Sequence, residues 1–172
     1  MKNIIKVIVT AAVVIGFTNS SFAQANATAS CSANIITPIS ITKTLDMNFG
    51  NVAVSGSTAG TVVLAPAGTR TTGGAGGVTL PSTTGTVSAA SFNVAGQASY
   101  TYAITLPVSC VITDGTHNMT VNTFTSTPSS TGTLSTSGTQ TVTVGATLNV
   151  NAAQAANAYT NATGVPVTVN YN

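Results

Sequence analysis

This chain of 172 residues carries almost no charge. Four Lys and Arg, two Asp, no Glu and one His leave 3% charged residues, against about 25% in an ordinary soluble domain. Nucleic-acid binding through phosphates requires clustered Lys and Arg, and the sequence has no such cluster. General acid–base catalysis requires titratable groups, and there are almost none to place. Tryptophan is absent as well. A metal site needs several ligands, and one His with two Cys and two Asp falls short of a set, so no cofactor or metal is implied. The composition thus points away from an enzyme.

Long apolar runs are also missing. The single apolar stretch lies at the start, Ile4 to Phe17, broken by Lys6, Thr10 and Gly16. Its later part, Ile8 to Phe17 with one Thr, is shorter than the roughly 20 residues a membrane-spanning helix needs. Lys2 and Lys6, then the apolar stretch, then small residues, have the order of a secretory signal peptide. Ser21-Phe22-Ala23 fits the small-x-small rule, so cleavage is expected after Ala23. Residues 1–23 are read as this leader and residues 24–172 as one β-sandwich domain with no membrane span. The expected location is the periplasm, the cell surface or the medium of a bacterium. Past residue 23 the charges are Lys43, Asp46, Arg70 and Asp114, which sum to zero. With one His besides, stability should vary little between about pH 5 and 9.

Export puts Cys31 and Cys110 in an oxidising compartment, where a disulfide is the first expectation. Closing a loop of 79 residues would contribute about 4.5 kcal/mol in the chain-entropy picture.

What is present is alternation with period two, the mark of half-buried strands. Val142, Val144, Ala146, Leu148 and Val150 form the clearest run. Tyr100, Tyr102, Ile104, Leu106, Val108, Cys110 and Ile112 form another, interrupted at Pro107. Val165, Val167, Val169 and Tyr171 alternate near the C-terminus. Ile35, Ile39, Ile41, Leu45, Met47 and Phe49 share one phase. Cys31 falls in that phase and Cys110 in the phase of Ile104, so both are expected to face inward. Turn signals separate the runs: a glycine-rich stretch over 68–77, Asp114-Gly115, and a polar connection over 128–138. About eight or nine short strands joined by such turns predict an all-β, antiparallel sandwich. Threonine, the commonest residue past position 23, furnishes the outward faces. Sheet edges are usually guarded by Lys or inward charges, and here two positive residues must serve them all. That favours self-association.

The remaining motifs are weak. His117 with an Asp and a Ser has the composition of a triad, yet no G-x-S-x-G elbow is present. It reads as a turn histidine. The glycines at 73–77 lack the Lys-Ser/Thr ending of a phosphate loop. Tyr100, Tyr102 and the glycine-rich stretch could contact a glycan or surface polymer, which gives a second functional reading.

Particular residues carry a resemblance. Ile36-Thr37-Pro38-Ile39-Ser40-Ile41-Thr42-Lys43 leads into Leu45-Asp46-Met47-Asn48-Phe49-Gly50. Gly60-Thr61-Val62-Val63-Leu64, Gly68-Thr69-Arg70 and Ala89-Ala90-Ser91-Phe92-Asn93-Val94-Ala95-Gly96 follow. Then come Tyr102-Ala103-Ile104-Thr105-Leu106-Pro107, Val144-Gly145-Ala146-Thr147-Leu148 and Val167-Thr168-Val169-Asn170-Tyr171. This ordered set resembles domain-of-unknown-function family 4402, small exported bacterial β-sandwich proteins. Cys31 and Cys110 are not part of that pattern.

A looser resemblance is to chaperone–usher pilins, which end in an alternating apolar strand with Tyr next to last, as Tyr171 is. It implies an immunoglobulin-like sandwich lacking a strand, filled by a neighbour's extended segment through strand addition, with self-association or a periplasmic chaperone as partner. The donor would come from Ile35, Ile36, Ile39 and Ile41. The C-terminal assembly or chaperone-contact strand would be Val165, Val167, Val169 and Tyr171. Pilins often carry Gly some fourteen residues from the end, about where Tyr159 stands here.

Overall fold

The computed structural model describes residues 23–172, and all but the last residue of the expected signal peptide, residues 1–23, lies outside the described residues. The chain divides at Ile35 from a folded unit, Ile36–Asn172. From Ala23 to Ile35 there is no strand and every residue is exposed.

The folded unit is all-β. Its large sheet runs, antiparallel throughout, through β1 (Ser40–Leu45), β8 (Ala90–Ala95), β13 (Thr139–Val150), β11 (Asn118–Thr127) and β10 (Ser109–Thr113). Two more strands, β4 (Gly60–Leu64) and β5 (Arg70–Gly73), complete it by pairing β4 with β13. A small sheet runs β12 (Thr131–Thr133), β9 (Thr101–Thr105), β14 (Thr168–Tyr171). Two ribbons pair β2 (Asn48–Phe49) with β7 (Val87–Ser88) and β3 (Ala53–Val54) with β6 (Val78–Thr79).

The twelve-residue β13 organises the fold. Its even positions Val142, Val144, Ala146, Leu148 and Val150 are all buried, as the alternation requires. One edge pairs with β11, while the other serves β8 from Thr139 to Val144 and β4 from Ala146 to Val150. The change of partner falls at Gly145. A side chain there would collide with the Leu64 carbonyl and sit 2.7 Å from Pro66 N, so glycine is what lets the end of β4 abut β13.

The partner strand β11 changes phase. Met119 and Val121 face inward, then Phe124 and Ser126 do. The register slips between Asn122 and Thr125, and Thr123 takes a left-handed backbone (φ 50). One extra residue in a bulge moves every later side chain to the other face.

Two apolar clusters result. In one, Phe92 and Val94 of β8 and Val142 and Val144 of β13 meet Tyr102, Ile104 and Val169 of the small sheet, with Leu134. In the other, Val62, Leu64, Met119, Val121, Leu148 and Val150 pack with Phe49 and Val78 from the ribbons. Each fully buried Val or Leu contributes about 1.5–3 kcal/mol.

The expected sandwich is therefore present, with differences. The run from Tyr100 to Ile112 is two strands in two sheets: β9 belongs to the small sheet and β10 ends the large one. Leu106-Pro107-Val108 makes the crossing, because Pro107 cannot donate to a ladder. Among the described residues there are fourteen strands where about eight or nine were expected. Four of the extra ones are two-residue ribbon strands, too short for alternation to register, and β5 and β12 contain no large apolar residue.

Candidate functional site

The small sheet covers only part of the large sheet's inner face. Beside it lies an open groove of about 1610 Å³, larger than the usual small-molecule pocket of about 300–1,000 Å³. Its floor includes Phe92 of β8, Ile112 of β10, Val121 of β11 and Leu148 of β13. One wall is the stretch 45–54 and the other is 154–167.

Polar bonds fasten both walls. In the first, Lys43 Nζ meets Asp46 Oδ1 at 2.6 Å. Ser88 Oγ donates to the Asp46 carbonyl at 2.7 Å. The Arg70 guanidinium donates to the carbonyls of Phe49, Asn51 (2.7 Å) and Thr84 (3.2 Å), a use of its forked donors that Lys could not reproduce. The second wall is tied to β10 at Thr113 and Thr160, which exchange two backbone bonds of 2.9 Å. Tyr159 packs into the first cluster, and its hydroxyl donates to the Ala155 carbonyl at 2.8 Å.

Asp114 anchors that same wall. Its carboxylate accepts the backbone N–H of His117 (2.6 Å) and of Thr116 (2.8 Å), contacts His117 Nδ1 at 3.0 Å, and accepts Asn157 Nδ2 at 2.6 Å. The His117 N–H bond above all, then these others, holds the carboxyl well below the usual carboxylate range. His117 thus caps a turn. The hydroxyl in that turn, Thr113 Oγ1, donates to the His117 carbonyl at 3.0 Å and not to the imidazole. Lys43, Asp46, Arg70 and Asp114 are all engaged in holding turns. Among the described residues no group of three or more His, Cys, Asp or Glu gathers.

The sequence-derived site residues are placed as follows. Cys31 and Cys110 are both free thiols, so the intrachain bridge expected between them is not formed in this structure. The inward phase holds for Cys110, which lines the groove on β10. Burial pushes its thiol up, and a bond from the Asn161 side chain partly offsets this. Cys31 precedes the first strand, so its phase has no sheet to point into.

Ile35, Ile36, Ile39 and Ile41, the candidate donor residues, are placed differently from one another. Ile39 and Ile41 pack against the chain's own second cluster, and Ile41 sits in β1, paired with Val94 of β8. Ile36 is half-buried, and only Ile35, 92% exposed, is uncommitted. The C-terminal run is likewise part of the chain's own small sheet. Val169 is buried and pairs with Ile104, Val167 packs on the second cluster, and Val165 borders the groove.

Tyr171 closes that end. Its hydroxyl accepts the Gln97 N–H at 2.6 Å and donates to the Thr37 carbonyl at 2.7 Å. Its ring meets Tyr100 edge-on at 5.8 Å. Gly96 lies beneath, where a side chain would strike the Tyr171 hydroxyl. Tyr102 is no surface platform: it is fully buried, donating to Gln140 Oε1 at 2.7 Å. Tyr100 is 43% exposed. In the wall 154–167 only Val165 and Val167 gave a signal in sequence, as the start of the C-terminal alternation, because the Ala- and Asn-rich part, 154–163, has no period.

These features define an antiparallel β-sandwich with an open apolar groove and its charges committed to turns. The chain belongs to the family described as Domain of unknown function (DUF4402), which matches residues 39–171. No curated protein and no solved structure matches it.

Proposed function

We propose that this protein is a non-enzymatic structural subunit of the bacterial cell surface, of fimbrial type, exported by its leader and assembled by β-strand complementation. The groove carries this reading. It is too large for a typical small molecule, it is floored by apolar side chains of the sandwich interior, and it is lined by Cys110 and Ile112 of β10, the last strand of the large sheet, whose outer edge is bridged at Thr113 by Thr160. An extended segment adding to such an edge gains main-chain hydrogen bonds and buries apolar surface at once. A periplasmic chaperone would occupy the groove before assembly, because edges this poor in charge are otherwise prone to aggregate.

Surface material run on SDS gels with reductant, unheated beside boiled, tests this. A ladder that collapses to one band on boiling supports it, and a single monomer band in both lanes overturns it. The second reading, a self-complete module that contacts glycans, rests on the exposed face of Tyr100. It predicts sugar binding lost in Tyr100→Ala.

A further inference from the structure

Residues 24–35 carry a strict alternation. Ala25, Ala27, Ala29, Cys31, Ala33 and Ile35 are apolar, and every residue between them is Gln, Asn, Thr or Ser. This is a strand pattern of about 40 Å when extended. Yet the segment forms no strand, every residue in it is exposed, and it lies ahead of the part that matches the family. Its apolar phase is too small-sided to bury much surface unaided.

We propose that residues 24–35 of a second copy of this chain fill the groove, and that Cys31 of that copy forms a disulfide with Cys110 of the receiving copy. The inference rests on the strand-complementation reading and names its donor. Three observations carry it. Neither partner is charged overall: the segment has no ionised side chain, and the groove's Lys43 and Asp46 neutralise each other at 2.6 Å. The floor is already close-packed, with Val121 2% and Leu148 3% exposed, so Ala-sized side chains suit it better than Leu or Phe. Cys31 stands in the apolar phase of the donor, and Cys110 lines the groove; both are free thiols.

The chemistry is thiol–disulfide exchange with an external disulfide oxidant such as oxidised glutathione. The exposed Cys31 thiolate attacks that disulfide, forming a mixed disulfide and expelling one thiolate. Cys110, after losing its proton to solvent, attacks Cys31 Sγ, and the second thiolate leaves. Two thiols become one disulfide, and the oxidant is reduced to two thiols. Burial pushes the Cys110 thiol up, so its attack is favoured toward alkaline pH.

The test uses Cys31→Ser and Cys110→Ser proteins, recovered after export and treated with oxidised glutathione. After boiling without reductant, each alone should run as monomer. Their mixture should give a dimer and nothing larger, abolished by dithiothreitol, while the unsubstituted protein gives a ladder. Ala29→Asp in the Cys110→Ser protein, a charge in the donor's apolar phase outside the folded unit, should reduce the mixed dimer at least tenfold. The proposal is overturned if the mixture yields no dimer, if Cys110→Ser dimerises alone, or if Ala29→Asp has no effect. A Cys31→Ser ladder on unheated, reducing gels with no mixed dimer would leave strand complementation standing and remove this donor.

Discussion

Removing one oxygen from Tyr171 tests whether the last strand belongs to its own chain. The Tyr171 hydroxyl makes two hydrogen bonds, from the Gln97 N–H at 2.6 Å and to the Thr37 carbonyl at 2.7 Å. They join three separate parts of the chain: the entry to β1, the turn after β8, and β14. Tyr171→Phe keeps the ring, its edge-on contact with Tyr100 and its packing, and deletes both bonds. At about 1 kcal/mol net for each, the loss is about 2 kcal/mol. For a domain of this size, about 2–4 °C follows for each kcal/mol, so the melting temperature should fall by roughly 4–8 °C. Thermal and urea unfolding followed by circular dichroism read this directly, and the urea midpoint should fall without a change in slope. An unchanged melting temperature would refute the reasoning, and would mean that β14 does not dock on its own β9 in the isolated protein.

Other predictions follow from the walls and the sheet junction. Gly145→Ala forces a side chain against the Leu64 carbonyl and should cost about 1–3 kcal/mol in the same unfolding assay. Arg70→Lys keeps the charge but cannot span three carbonyls; a loss of about 1.5–3 kcal/mol is expected, accompanied by faster proteolysis within 45–54. The Asp114 carboxyl titrates lower in the folded protein than in the unfolded chain. The stability this adds is fully present above about pH 4, the unfolded value, and is lost as pH falls further. Asp114→Asn should flatten that acid limb in unfolding measured from pH 6 downward. At the alkaline end the Cys110 thiol is raised by burial, so its contribution holds below about pH 8.5 and declines above it; Cys110→Ser should remove that decline.

The class of this protein was legible from alternation. Sheet geometry puts neighbours on opposite faces, so Val142 to Val150 declared its buried side without any knowledge of its partners, and Val169 did the same. The turn role of Asp114 and His117 was legible because the bonds that fix it are local. Other features depend on contacts between distant segments. Pro107 marked an interruption but could not say that the chain there leaves one sheet for another. The bulge at Thr123 reverses a phase that composition alone continues. Cys31 and Cys110 shared an inward phase on paper, yet only one has a sheet around it. The groove wall at 154–163 is aperiodic, and it is held in place across the fold where Thr113 meets Thr160 and Asp114 meets Asn157.

By itself, then, the sequence determined the all-β class, the scarcity of chemistry-bearing groups and the identity of most core residues, since these follow from local backbone geometry and composition. The tertiary structure alone decided that Ile39, Ile41 and Tyr171 serve the chain's own sandwich, and that the small sheet stops short of covering the large one. Both depend on which strand edges pair, and edge pairing is a long-range choice that no local pattern encodes.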